Sequence, residues 1–227
     1  MAKVIVVVGH GPGISDAVAR RFGKAGYSVA LVARNAERLG KAAAALTAEG
    51  ITAQAFPADA GNPDALHKLV QDVGAALGPI SVLHWNAYTG GAGNLKTSTA
   101  DELRVVLDVA VHGLIAATQA ALPDLKAQKG AILVTGGGFA FYDAQVDAAA
   151  AQWGAAGLAI SKAAQHKTVG LLQQTLAADG VYVGEVVVTG SVKGTAFDSG
   201  NATLEASAIA EKFWELAEAR SPASVNI

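Results

Sequence analysis

Val4-Ile5-Val6-Val7-Val8-Gly9-His10-Gly11-Pro12-Gly13-Ile14-Ser15 opens on five consecutive β-branched residues and continues into three glycines at alternate positions. The apolar run is too uniform for a strand with one wet face and too short to span a bilayer. It therefore reads as a strand buried on both faces, the pattern of a central strand in a parallel sheet. After Gly13 a helical pattern, with Val18 and Phe22 among small residues, runs to Gly26. Strand, glycine-rich turn and helix N-terminus in that order make a phosphate cradle. Glycine lets the backbone curl tightly and a pyrophosphate approach, while the free N–H groups at the positive end of the helix meet its charge. Such turns also arise for packing alone, so the turn proposes a nucleotide site and other residues must support it.

Outward from this stretch, strand-like and helix-like runs alternate. Tyr27 to Ala33 reads as a second strand, and Asn35 is placed to cap a helix running to about Leu46. Thr52 to Phe56 is a third strand. Asn62-Pro63 opens the next helix with a capping side chain and a proline at its first position, and Gly78-Pro79 closes it before a fourth strand, Ile80 to Trp85. Thr99 with Glu102 forms a capping-box pattern for a long helix to about Lys126. Ala131 to Thr135 is a fifth strand, broken by Gly136-Gly137-Gly138. A long alanine-rich helix is expected from roughly Ala148 to Ala178, followed by a sixth strand, Val181 to Val188. A last helix, Leu204 to Ala219, precedes a tail in which Ser224 to Ile227 can add a seventh, edge strand. Strands separated by helices of this length need crossover connections, so the expected fold is α/β, a doubly wound parallel sheet with helices on both faces, in one domain over 1–227.

Composition bounds the function. The 227 residues are 52% hydrophobic and 16% charged, enough for one sizeable core and far from the disordered regime. A formal net charge of −2 and no run of Lys or Arg argue against nucleic acid or an anionic membrane as partner, and leave small molecules. The absence of cysteine excludes disulfides, thiolate metal sites and a cysteine nucleophile, and the histidines at 10, 67, 84, 112 and 166 show no metal-ligand spacing. The apolar N-terminal run is too short for a signal-peptide core and no uninterrupted apolar run reaches the length of a spanning helix, so a soluble cytoplasmic protein is expected.

Twenty-one residues beyond Gly13, at the end of the second strand, a dinucleotide-binding fold places the residue that reads the adenosine ribose, and here that residue is Arg34. A carboxylate there would accept from a free 2′-hydroxyl, whereas a guanidinium makes forked, charge-assisted bonds to a 2′-phosphate, so Arg34 favours NADP. An arginine after a strand is otherwise an ordinary solvated residue. Asp59-Ala60 and Asn86-Ala87 also lie at strand C-terminal ends, where open α/β sheets bind ligands; each pair can equally serve a turn. Lys162 stands in a helix segment that is small or apolar apart from Ser161. It is either a side chain that snorkels to solvent or one that meets a ligand.

As a set these residues resemble the short-chain dehydrogenase/reductase family over nearly the whole chain. Its Gly-x-x-x-Gly-x-Gly turn looks like Gly9, Gly13 and Ser15, with serine for the third glycine. Val32-Ala33-Arg34-Asn35 is similar to NADP-preferring members, Asp59-Ala60 to the adenine-site pair, and Asn86-Ala87-Tyr88 to Asn-Ala-Gly. Thr189-Gly190 stands where Pro-Gly usually precedes the nicotinamide loop, which brings in Val192. The resemblance implies a Rossmann sheet of about six to seven strands, hydride transfer with NADP, dimers or tetramers built on the long helices, and cofactor contacts from Gly9, Gly11, Pro12, Gly13, Ile14, Arg34, Asp59, Ala60, Asn86, Ala87, Lys162 and Val192.

The same resemblance exposes what is missing. Family members use a Tyr as proton donor, a Lys four residues later, a Ser and an Asn. Lys162 matches, but Leu158 holds the Tyr position, Gly137 the Ser position and Ala110 the Asn slot. Tyr142, five residues past Gly137, is the candidate substitute acid, with Tyr88 as another; both also read as packing or loop residues. His84 reads as a satisfied core histidine, His10 as a possible cofactor contact, and Trp85, Trp153 and Trp214 as packing residues. Losing a positioned acid costs about 10²- to 10⁴-fold in rate. The expectation is an NADP-binding oxidoreductase that draws its proton from another group or from the substrate. Its rivals are a catalytically silent dinucleotide-binding module and a structural subunit paired with an active relative.

Overall fold

The five residues of β1 (Val4–Val8) divide by parity: Val4, Val6 and Val8 enter one hydrophobic core, Ile5 and Val7 the other, and each is fully buried. A strand buried on both faces needs a layer on each side. The computed structural model, which describes residues 3–227, supplies both. The sheet is completed by β2 (Ser28–Ala33), β3 (Ala53–Pro57), β4 (Ile80–Trp85), β5 (Ala131–Gly137), β6 (Tyr182–Val188) and β7 (Ser224–Asn226). All pairings are parallel, in the order β3-β2-β1-β4-β5-β6-β7. On one face lie α3 (Pro63–Leu77), α5 (Gly113–Gln128) and α7 (Ala156–Leu176), contributing Leu66, Leu114 and Val169 to the core. On the other lie α1 (Ile14–Lys24), α2 (Ala36–Ala48) and α8 (Ala206–Ala219), with Phe22, Leu46 and Phe213. This is the expected doubly wound sheet, and its strand order reverses between β1 and β4, where such sheets open a crevice.

The caps fall where their side chains predict. Asn35 accepts from the Arg38 N–H, Asn62 from the Ala65 N–H with Pro63 following it, and Thr99 and Glu102 bond reciprocally at the start of α4 (Ala100–Leu107). Two helices differ from expectation. The helix after Thr99 carries a π-helical turn, Asp108–His112, between α4 and α5. By length and composition the run 100–128 is also apolar enough to cross a membrane, contrary to the sequence reading; half of its most apolar window is buried, and α5 packs on β4 and α3. The alanine-rich stretch is not one helix from 148 to 178 but two, α6 (Ala144–Gln152) and α7, separated at Gly154, which has φ +61°. The break is docked: the Gly157 N–H donates to Ala92 O, and a Cβ at Gly157 would overlap Gly91 O. The last helix starts at Ala206 because Leu204 instead bridges to Val192.

His84, in β4, is buried but only half satisfied. Its Nε2 lies 3.3 Å from Thr135 Oγ1, its Nδ1 has no partner among the described residues, and the ring packs edge-on against Phe213. Burial alone pulls its pKa from 6.5 down to about 3. Between those values the unfolded chain binds a proton that the folded chain refuses, so stability falls as pH drops from 6.5 towards 3. His84→Leu is expected to flatten that part of the stability–pH curve, whatever its effect at neutral pH; urea unfolding at a series of pH values reads the slope directly.

Candidate active site

The glycine turn is held by the strands on either side of β1. The N–H groups of Gly9 and His10 both donate to Val32 O, Asn86 N donates to Val8 O, and Asn86 Nδ2 donates to Gly9 O at 3.2 Å. Asn86 therefore braces the turn as well as lining the crevice. Gly9 has φ +83°, and a Cβ there would overlap the backbone of Ala87. Ser15, in place of a third glycine, accepts from the Gly11 N–H at 2.9 Å and donates to Gly11 O at 3.0 Å, which locks the turn onto α1. A Cβ at Gly11 would meet only open space, so the backbone there is accessible to a ligand. His10 lies 3.4 Å from Asp16, whose pKa is held down by this contact first and by Arg20.

Beside the turn a cavity of about 510 Å³ is lined by His10, Gly11, Pro12, Arg34, Asn35 and Arg38 among others. Arg34 and Arg38 are exposed, and neither guanidinium makes an ion pair or hydrogen bond among the described residues. Two unpaired cations at the end of β2 and the start of α2 form a ready anion site. Asp59 accepts from the Gly61 N–H at 3.0 Å, a turn role, and with Ala60 also lines the crevice.

The main cleft, about 950 Å³, runs over the C-terminal ends of the strands and brings together Gly9, Gly11, Pro12, Ile14, Arg34, Asp59, Ala60, Asn86, Ala87, Lys162 and Val192. Gly13 is not in its lining; it has φ +99°, and a Cβ there would press on Thr195 at 2.7 Å, so it admits the loop after β6. Lys162 does not snorkel. It is 8% exposed, and its Nζ donates to Thr135 O at 2.7 Å and Gln165 Oε1 at 2.9 Å. Burial lowers its pKa to about 8, with Glu185 opposing that shift. Gln165 Nε2 donates in turn to Ala110 O, in the π-helical turn, so the position that lacks a polar side chain contributes its carbonyl.

At the other end of the cleft, Gly137 and Leu158 line the wall beside Lys162. A Cβ at Gly137 would sit 3.7 Å from Lys162 Cγ, ordinary contact, so the missing side chain is not sterically forced. Tyr142 is fully exposed and absent from the lining; its neighbours Phe139 and Phe141 face the cleft instead, so the expectation of Tyr142 as acid is not met by this geometry. Tyr88 does line the cleft, with its ring 5.8 Å from Phe197. Trp85 is core, and Trp214 packs on Phe22 and under Arg21, as expected of packing residues. Trp153 is not: it is 69% exposed on the cleft wall, edge-on to Phe139 at 5.7 Å. Sequence reasoning missed Glu185, which is buried in β6 and paired with His166 of α7. A lone carboxylate among the valines of a core strand was the available signal.

Residues 3–204 match the family described as short chain dehydrogenase. Among characterised proteins, meso-2,3-butanediol dehydrogenase of Serratia marcescens is 32% identical over 184 residues, 81% of this chain and 69% of that one. A 2,3-dihydro-2,3-dihydroxybenzoate dehydrogenase of Bacillus subtilis is 29% identical over 135 residues, 60% of this chain and 52% of the relative. Among solved structures, a metagenomic short-chain oxidoreductase in complex with NADP superposes with a TM-score of 0.82 at 25% identity, covering 99% of this chain and 96% of that one. L-sorbose reductase from Gluconobacter frateurii, with TM-score 0.86 over 100% of this chain and 95% of that one, is 21% identical and attests the fold.

Proposed function

The chain belongs to the short-chain dehydrogenase family, and from that premise we propose that it is an NADP(H)-binding oxidoreductase whose hydride transfer does not draw on a tyrosine-type acid. The observation that carries the cofactor assignment is the pair of unpaired guanidiniums, Arg34 and Arg38, in the cavity beside the Gly9 turn. The donor set fits a dinucleotide. Gly11 leaves space beside its backbone for a pyrophosphate, Arg34 and Arg38 supply the charge a 2′-phosphate needs, and Asp59 and Asn86 line the cleft at strand ends, from where they would meet the adenine and ribose. The metagenomic oxidoreductase, in complex with NADP, supports the same choice. When bound, the nicotinamide supplies or accepts a hydride. Lys162 uses two of its N–H donors on Thr135 and Gln165, and the third remains for a ribose hydroxyl at the cleft wall.

The assignment is tested by fluorescence titration with both cofactors. The wild type is expected to bind NADPH about 10- to 100-fold more tightly than NADH, the worth of charge-assisted bonds of about 1.5 to 3 kcal/mol. Arg34→Ala should remove most of that preference while leaving NADH affinity unchanged. Equal affinities in the wild type would contradict the reading. A silent binding module is the second reading, favoured by Leu158, Gly137 and Ala110 standing where polar side chains would act; it predicts the same titration and no turnover with any acceptor.

A further inference from the structure

The substrate end of the cleft is walled by aromatic rings, and on the wall beside Lys162 stand a glycine and a leucine, Gly137 and Leu158. From this we propose that it takes a cationic, planar substrate of the iminium class. The inference rests on the oxidoreductase reading above and narrows it to one chemistry.

Three observations converge. First, reducing a carbonyl creates an alkoxide that needs a proton donor or an oxyanion site, and removing either costs about 10²- to 10⁴-fold. On the wall beside Lys162, Gly137 has no side chain and Leu158 an apolar one, so neither side chain supplies an acid or a hydroxyl there. An iminium removes the requirement. Hydride delivered from a reduced nicotinamide adds to the iminium carbon, the C=N π pair becomes the nitrogen lone pair, and the products are a neutral amine and the oxidised nicotinamide. No proton moves.

Second, the cleft gathers aromatic surface that the fold leaves exposed: Trp153 at 69%, Phe197 at 53% and Tyr88 at 46%. They belong to two ring pairs, Phe139 with Trp153 and Tyr88 with Phe197. Large aromatic side chains left open on one concave surface mark a ligand site, and their faces attract cations.

Third, a buried carboxylate underlies the cleft floor. Glu185 is 0% exposed, pairs with His166 through Oε2, and leaves Oε1 without a hydrogen-bond partner among the described residues. That oxygen abuts Gly136, a cleft-lining residue at which a Cβ would overlap it. Glycine thus brings the floor of the cleft against the carboxylate. Beyond the glycine turn and the two arginines, Lys162 is the one cationic side chain in the lining among the described residues; Thr135 O and Gln165 Oε1 take two of its N–H donors, and Glu185 offsets its charge.

The test begins with binding. Calorimetric titration of the complex with tetrahydro-NADP, a cofactor analogue whose nicotinamide ring is neutral like that of NADPH but gives up no hydride, should show 2-methylisoquinolinium binding about tenfold more tightly than isoquinoline, at a pH where isoquinoline is neutral. Glu185→Gln and, separately, Trp153→Leu should each reduce that ratio by about 3- to 10-fold. Trp153 is exposed, so its variant is informative even where the buried Glu185 substitution perturbs folding. Equal or weaker binding of the cation in the wild type overturns the proposal. Turnover follows, comparing 2-methyl-3,4-dihydroisoquinolinium with its ketone analogue 1-tetralone. The expected result is NADPH oxidation with the iminium only. Faster reduction of the ketone, or NADPH binding with no iminium turnover, overturns the proposal and leaves the cofactor assignment standing. Absence of NADPH binding overturns both.

Discussion

Ketone reduction by the double variant Leu158→Tyr, Gly137→Ser is expected to exceed that of the wild type by about 10²- to 10⁴-fold, the range a positioned acid contributes. The geometry favours the gain. Leu158 precedes Lys162 by one turn on α7, so the two side chains share a face, and both line the cleft. A side chain at Gly137 meets Lys162 only at ordinary contact distance, so the serine hydroxyl can enter without displacing the lysine. Burial sets the Lys162 pKa at about 8, so its ammonium persists at neutral pH and can lower the pKa of a phenol placed beside it. Steady-state NADPH oxidation with a ketone panel measures the effect, and NADPH titration checks that the cofactor end is intact. A folded double variant with unchanged NADPH affinity and wild-type ketone rates would mean that more than these two groups is missing.

Gly9→Ala is expected to be the most damaging change of a single methyl in the cleft. It places a Cβ at φ +83°, a region that costs an L-residue about 1 to 2 kcal/mol, and drives it into the backbone of Ala87, which cannot rotate aside. Relief requires breaking the bonds that tie β1 to Val32 and Asn86. The expected result is a loss of about 3 kcal/mol or more in stability and of about 100-fold or more in NADPH affinity, read by urea unfolding and fluorescence titration. Gly11→Ala is the matched control. Its φ is not positive and its Cβ meets nothing within 4 Å, so stability should change by less than about 0.5 kcal/mol even if the ligand is hindered.

That contrast shows how far the sequence could be read. Gly9, Gly11 and Gly13 look equivalent along the chain; only the structure shows that a side chain is barred at the first by Ala87 and at the third by Thr195, and that no neighbour bars one at the second. The sheet was legible because β1 has no polar residue to expose, and the caps at Asn35, Asn62 and Thr99 because each motif satisfies backbone groups within its own first turn. The break at Gly154 was not. A glycine costs a helix only about 1 kcal/mol, and what decides there is the loop around Ala92 docking on Gly157, a contact distant in sequence. Tyr142 was misplaced for a related reason: a bend one residue long decides whether 141 or 142 faces the cleft, and Phe141 does. Glu185 and its place under Gly136 depend on the pairing of β5 with β6, which no local pattern encodes.

The proposed function requires a complete cofactor end of the cleft and an incomplete proton-donating end. Single-turnover reaction of the wild-type protein, saturated with NADPH and mixed with excess ketone, tests this most directly because it separates cofactor binding from hydride transfer. The predicted result is saturable NADPH binding, seen in its fluorescence, followed by ketone reduction no faster than NADPH and ketone react in buffer. Rapid, stoichiometric conversion of bound NADPH to NADP⁺ by a simple ketone would contradict it.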